Sequence, residues 1–294
     1  MSQLALPLDG VRFERDGLLV RQALALLAGG PAPTADVARH VLGIAHANGA
    51  AAAAVFSLLG GDPRFSVSAD GAWALASASP APSATPAKPL RDEEWVVVDL
   101  ETTGGSPKRG HRVTEVAAVA VSRGEIRGTW CTLVNPGRRI PGMITSLTGI
   151  TEQMVAEAPR FHEVADRVSQ EIRGRVFVAH NVAFDWRFMG WEMQQATGMA
   201  PVGRTLCTVR LARKLLPELP SRNLDSLAHY FGVEIEHRHR ALDDAVATAR
   251  VLIRLIEMLE DRGAEDWEGL QGLLRRRARR KKRKASPQSM ESAW

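Results

Sequence analysis

Apolar residues recur along this chain with two periods, one helical and one extended, and the switches between them outline its elements. Over Leu18–Leu27 the spacing is helical and stops at Gly29-Gly30-Pro31. Thr34 is placed to cap a helix over 35–42, and an alanine-rich helix is predicted over about 48–59. Residues 64–67 and Ala72–Leu75 flank Asp70-Gly71, the signal for a hairpin. Further on, the β-branched run Trp95-Val96-Val97-Val98 reads as a buried strand that ends in Asp99-Leu100-Glu101. Residues 113–121 and 128–134 read as two more strands, separated at Arg123-Gly124 and ended by Asn135-Pro136-Gly137. Helical spacing returns at Thr151-Glu152 and over Phe161–Ile172, and Val176–Ala179 is a short buried strand. Helices over 186–195, 209–215, Leu224–Phe231 and 243–259 complete the pattern. Strands first, then mixed with helices, indicate an α/β layer fold.

Composition divides the chain. Its 294 residues suffice for more than one domain but are short for three, and the apolar share of 45% is ordinary. Residues 77–91 are rich in Pro, Ala and Ser and read as an extended, semi-stiff linker. It separates a small domain over 11–76 from a large one over 92–262, with residues 1–10 ahead and a C-terminal region over 263–294 behind. The formal charge of +5 is unevenly spread, because residues 275–284 carry nine cations and no acid, leaving −4 for the rest. Such a block stays disordered and attracts phosphates. Cys131 and Cys207 lie far apart without metal-ligand spacing, as expected of reduced thiols in an intracellular protein. No basic segment followed by an apolar core opens the chain, and no apolar run is long enough to span a bilayer, so a cytoplasmic protein with no membrane partner is expected. Within 1–10, Pro7 opposes helix, and in an extended segment Leu4, Leu6 and Leu8 fall on one side, suited to a partner groove.

Three stretches carry chemistry. Side chains alternate along a strand, so Asp99 and Glu101 share a face. Two acids at the end of a core strand call for a cation between them, and Mg²⁺, which takes oxygen ligands, is the economical one. Thr102-Thr103-Gly104 then turns the chain, with Gly104 free to take positive φ. His180-Asn181-Val182-Ala183-Phe184-Asp185 follows a core strand and brings Asp185 to a helix start, where anionic groups are favoured and where Asn and Asp also serve as caps. His239 and Asp244 span a loop-to-helix junction and can face one site, His being suited to move a proton near neutral pH. His237 competes for that role, and of Asp243 and Asp244 one is read as a helix N-cap and the other as a ligand.

In order and at family-like spacing, Asp99-x-Glu101-Thr-Thr-Gly104, His180-Asn181-x-x-Phe184-Asp185 and His239-x-x-x-x-Asp244 resemble the three exonuclease motifs of the DEDD superfamily, histidine subtype. The resemblance extends over about residues 94–262 and is closest to the epsilon proofreading subunit of bacterial DNA polymerase III. It implies an RNase H-like fold, a central mixed five-stranded sheet flanked by helices, and removal of nucleotides from the 3′ ends of DNA. It further implies that Asp99, Glu101, Asp185 and Asp244 hold two Mg²⁺ or Mn²⁺ ions and that His239 is the general base. Thr103, Gly104, Asn181 and Phe184 match positions that hold the substrate strand, Phe184 being equally readable as a core residue. Single-stranded or frayed 3′ ends of DNA are the implied partner, in proofreading, replication or repair, in a nucleoid-associated bacterial protein. The three motifs do not decide the sugar, so an exoribonuclease of the RNase T or oligoribonuclease type stays open, as does a nucleic-acid-binding regulator that uses the nuclease fold as a scaffold. Two further resemblances lie outside that region. Gln3-Leu4-Ala5-Leu6-Pro7-Leu8 is similar to the clamp-binding peptide of bacterial replication and repair proteins, which implies a sliding clamp or a DNA polymerase as partner. Residues 11–76 resemble a winged helix-turn-helix, with Asp62-Pro63-Arg64-Phe65 and Gly71-Ala72-Trp73 similar to its wing. The third helix of that unit is almost without cations, which counts against groove recognition by it.

Overall fold

The computed structural model describes residues 10–14, 17–44, 49–62, 64–76 and 88–275. The leucine-rich segment 1–9, most of the linker and the basic run beyond Arg275 lie outside the described residues.

The chain opens with strand β1 (Arg12–Glu14) and then builds a small unit from α1 (Leu18–Leu27), β2 (Ala32–Pro33), α2 (Thr34–Leu42), α3 (Gly49–Leu59), β3 (Phe65–Val67) and β4 (Ala72–Leu75). The three short strands form one antiparallel sheet in the order β2-β4-β3. Ala23, Leu27, Val37, Val55, Leu59 and Trp73 close a core between this sheet and the helices. Thr34 does not cap α2 as its sequence position suggests. Pro33 holds that position, and the Thr34 hydroxyl instead donates to the Gly71 carbonyl (2.7 Å) and accepts from Trp73 Nε1 (3.1 Å). A long-range bond to the hairpin outcompetes the local cap.

The large unit comprises β5 (Trp95–Thr102), β6 (Val113–Ser122), β7 (Glu125–Leu133), α4 (Gly142–Thr148), α5 (Glu152–Ala156), α6 (Phe161–Ile172), β8 (Val176–Ala179), α7 (Val182–Thr197), β9 (Ala200–Val202), β10 (Thr205–Cys207), α8 (Thr208–Leu215), α9 (Leu224–Phe231), α10 (Ala241–Glu260) and α11 (Trp267–Arg275). Its five-stranded mixed sheet runs β10-β8-β5-β6-β7, with β8 parallel to β5 and to β10 and the β5-β6-β7 ribbon antiparallel. This is the mixed five-stranded sheet with flanking helices that the family resemblance implies. Arg123 and Gly124, both at positive φ, make the β6–β7 turn.

Alternation along β5 assigns the two faces. Trp95 and Val97 join Val119, Val178 and Leu206 in a core shared with α8, α9 and α10. Val96, Val98 and Leu100 join Val116, Phe177, Phe161, Val168 and Met189 in a second core beneath α6 and α7. Alanines at 241, 245, 247 and 249 let α10 lie close on the sheet.

The packed unit is larger than the sequence boundaries 92 and 262 suggest. Leu90 is fully buried, its N–H donates to the Glu265 carbonyl (2.7 Å) and its carbonyl accepts from Trp95 Nε1 (3.2 Å). Leu270 of α11 is fully buried in the same core. At the other end of the chain, Val11 packs in the α6–α7 core and β1 pairs antiparallel with β9, so residues 11–14 pack on the large unit, while Glu14 also pairs with Arg64 of the small one (2.8 Å). Among the described residues no helix is long and apolar enough to cross a membrane. Both cysteines are free thiols. Leu90→Ala should cost about 2–5 kcal/mol, read as a lower urea midpoint; an unchanged midpoint would return residues 88–91 to the linker.

Candidate active site

The face of β5 that carries Trp95 and Val97 continues into Asp99 and Glu101, which therefore emerge where α10 begins. What fixes the start of α10 is Glu115 on β6, directly opposite Glu101 in register. Only 2% exposed, Glu115 accepts from the Ala241 N–H (2.9 Å) and from Arg240 Nη2 (2.7 Å) and Nε (3.2 Å). A carboxylate from the sheet thus satisfies an orphan donor of the helix and complements its positive end. Residue 117 beside Asp99 is alanine, which leaves room on this face.

With α10 pinned, Asp244 comes to its first turn facing the sheet, 4% exposed. Neither Asp243 nor Asp244 is the N-cap: that position is Arg240. Asp243 instead meets His237 Nδ1 (2.9 Å) at the exposed surface, and neither residue lines the cleft. His239 does line it. Its backbone takes φ +61°, and its N–H donates to Asp244 Oδ2 (2.9 Å). The other oxygen of Asp244 accepts from Arg238 Nη1, whose Nε donates to Asp225 Oδ1 (2.5 Å).

Because β8 runs parallel to β5, both strands end at the same edge. Asn181, at φ +75°, turns the chain from β8 into α7 and makes no side-chain cap. Asp185 follows in the first turn of α7, 4% exposed. His180 packs its Nδ1 against the Thr208 hydroxyl (2.9 Å). An open cleft of about 270 Å³ results, lined by Asp99, Glu101, His180, Asn181, Phe184, Asp185, Asn223, Leu224, Arg238, His239 and Asp244. Two non-glycine residues at positive φ, Asn181 and His239, both border it.

Thr103 and Gly104 are not in the lining of this cleft. Thr103 is buried, its N–H donating to the Arg112 carbonyl (2.8 Å) and its hydroxyl accepting from the Arg112 N–H (3.0 Å). Gly104, at φ +149°, lies so close to the His111 ring that a Cβ there would approach it to 2.6 Å. Phe184 is half-buried, stacked at a tilt on Phe188 with ring centroids 5.0 Å apart, and reaches both the core and the cleft. Leu100, which also lines the cleft, and Arg238, Asn223 and Leu224 are the lining residues that the sequence motifs do not single out. The signal for Asn223 was its place before an amphipathic helix, where its side chain caps α9 by accepting from the Ser226 N–H (2.8 Å).

Crowding sets the electrostatics. Burial, then the nearby Asp244 carboxylate, pushes Asp99 up to about 8. Burial and the Asp99 charge push Glu101 up to about 9. Asp185 is driven well above the usual carboxylate range by burial and by Asp99, and Asp244 upward by burial against the opposing pull of Arg238. Burial and the Arg238 charge pull His180 down to about 4, so it is neutral at ordinary pH. Among the described residues, Glu101, His239 and Asp244 bring ligand atoms within 4.8 Å of one another. Carboxylates dominate the donors of the cleft, with Asp99 and Asp185 beside that group, and oxygen donors suit a hard divalent cation.

These shifts fix a sign. A carboxyl whose folded value lies above its unfolded value, about 4, binds more protons folded than unfolded, so stability falls as pH rises between the two. The chelated protein should lose melting temperature progressively from about pH 5 to pH 9, the window set by Asp99 and Glu101. Mn²⁺ should restore most of that loss, and Asp99→Asn should flatten the metal-free slope. A wild-type melting temperature independent of pH in chelator would contradict this.

Comparisons with known proteins identify the family of the large unit. The sequence profile of the exonuclease family matches residues 96–252, more than half of the chain. The chain is 38% identical over 170 residues to the DNA polymerase III subunit epsilon of Aquifex aeolicus, covering 58% of this chain and 84% of that one. It is 36% identical over 170 residues to the 3′-5′ exonuclease DinG of Bacillus subtilis, again 58% of this chain but only 18% of that much longer protein. It is 40% identical over 185 residues to a DNA polymerase III subunit epsilon-like protein of Rhodobacter capsulatus, covering 62% and 26% of the two chains. E. coli Exonuclease I in complex with a dT13 oligonucleotide shares the fold, with a TM-score of 0.51 at 18% identity over 58% of this chain and 43% of that one. The chain belongs to the exonuclease family, within the DEDD superfamily whose three motifs converge on this cleft.

Proposed function

We propose that the protein is a divalent-metal-dependent 3′→5′ exonuclease that removes nucleotides from single-stranded or frayed 3′ ends of DNA in proofreading, replication or repair. The observation that carries this reading is the convergence of Asp99, Glu101, Asp185 and Asp244, from three separate motifs, on one cleft with His239. Four carboxylates offset the charge of two divalent cations, and in this reading they hold two Mg²⁺ or Mn²⁺ ions. Such ions neutralise a phosphodiester and make water acidic enough to lose a proton near neutral pH.

The chain's own residues do the rest. Arg238 holds Asp244 in place through one of its oxygens, and that carboxylate keeps lone pairs to offer a cation. His239, half-exposed on the cleft and tethered through its N–H to Asp244, takes the proton of the attacking water. Neutral His180 packs beneath without competing for that proton. Asn181 and Phe184 border the space where the terminal nucleotide enters, with the Phe184 ring offering a face to a base. Thr103 and Gly104 act by shaping the turn that follows β5.

The same reading takes Gln3, Leu4, Leu6 and Leu8 as the peptide for a sliding clamp, checked by binding to a purified clamp. It takes the small unit as winged-helix-like, on its helix order and its β2-β4-β3 sheet.

The decisive test incubates full-length protein with 5′-labelled single-stranded DNA and RNA of matched sequence, with Mg²⁺ or EDTA, beside Asp99→Ala. A metal-dependent ladder on DNA that vanishes in the variant is expected. A ladder on RNA alone would replace the substrate class, and no ladder on either would leave a scaffold for nucleic-acid binding.

A further inference from the structure

Outside the cleft, a second concavity of about 560 Å³ lies between α7 and two loops, and nothing in the mechanism above uses it. One loop, residues 105–112, carries Lys108, Arg109 and Arg112; the other, residues 135–141, carries Arg138 and Arg139. Together they hold five cations and no acid, in a chain whose net charge outside the basic run 275–284 is −4. The loops are tied to each other and to α7. Arg138 donates to the Gly110 carbonyl, and Arg112 makes a bidentate pair with buried Glu192 (2.8 and 2.7 Å). Arg139, 95% exposed, has only a loose contact with Glu152 at 3.7 Å. The wall opposite the arginines is Trp191, 38% exposed, beside Gln195.

Helical spacing connects this concavity to the cleft. Phe184, Arg187, Trp191 and Gln195 stand at i, i+3, i+7 and i+11 and share one face of α7. Phe184 lines the cleft, the Arg187 guanidinium lies 5.8 Å from its ring centroid and donates to the Gly105 carbonyl (3.1 Å), and Trp191 lines the groove. Seven helical residues separate Phe184 from Trp191, about 10 Å at 1.5 Å per residue. That is the length of about three stacked nucleotides at 3.4 Å per strand. Cations along a backbone track, with an aromatic face among them, are the elements of a sequence-tolerant single-strand site.

We propose that this groove carries the substrate strand upstream of its 3′ terminus, from about the fourth nucleotide, with a base stacked on Trp191 and phosphates against Arg138 and Arg139. The proposal rests on the reading of the cleft as a 3′ exonuclease site, because that reading sets where the strand begins. It makes the protein length-sensing: short products lose the groove and dissociate, while longer strands are held for the next cut.

The test compares full-length wild type, Trp191→Ala and Arg138→Ala/Arg139→Ala in EDTA, so that binding is read without turnover. The ligands are a 5′-fluorescein dodecathymidylate and a trithymidylate, followed by anisotropy. Arg123→Ala/Arg127→Ala, the same charge change at the β6–β7 turn at the opposite end of the sheet from the cleft, is the control for general electrostatics. The groove variants should bind the dodecamer about tenfold more weakly, the trimer unchanged, and the control as wild type. The double-arginine variant should also flatten the salt dependence, by a slope of about one for each phosphate that an arginine no longer neutralises, whereas Trp191→Ala should leave that slope alone. Equal Kd values in all proteins, equal loss on both lengths, or equal loss in the control would each overturn the proposal. Metal-dependent cleavage of the dodecamer by wild type is scored separately: its absence sinks the exonuclease reading, while the binding comparison still decides the groove.

Discussion

Mutual repulsion among four carboxylates is the constraint around which the large unit is arranged. Asp99, Glu101, Asp185 and Asp244 would separate if the chain allowed it, and burial raises the cost of their charge further. Three devices hold them together. Alternation along β5 sets two of them on one face, the parallel end of β8 delivers the third through the Asn181 turn, and Glu115 pins the helix that carries the fourth. Arg238 supplies the cationic counterweight within the chain, bridging Asp244 and Asp225.

Anchoring by Glu115 also explains why the acids can face the cleft at all. An aspartate at the start of a helix usually turns back to satisfy the helix's own amides. Here a carboxylate from a neighbouring strand accepts from Ala241, so neither Asp243 nor Asp244 is the N-cap. A structural carboxylate buried beside the site thus frees a functional one.

That division of labour marks how far the sequence could be read. Period-two alternation places Asp99 and Glu101 correctly because a strand has only two faces, and the ordered motifs bring in Asp185, His239 and Asp244. The helices at Leu18–Leu27, Phe161–Ile172 and Leu224–Phe231 have the bounds their apolar spacing predicts. What stayed hidden depends on distant partners. The strands β1, β9 and β10, each three residues long, are too short to show a period, and β9 contains Pro201. Thr34 has the look of a cap until the hairpin claims its hydroxyl. Leu90 looks like linker because only its neighbours in space, Glu265 and Trp95, show that it is core. Arg238 sits among three other cationic or titratable neighbours, and nothing local says which of them turns inward.

The central claim is that divalent cations take the place of protons on this carboxylate cluster. It is tested most directly by calorimetric titration of Mn²⁺ into the metal-free full chain at pH 7, in two buffers of different ionisation enthalpy. The account predicts saturable binding of two ions with net proton release, and weakened binding with less release in Asp244→Asn. Binding without proton release, or none at all, would contradict it.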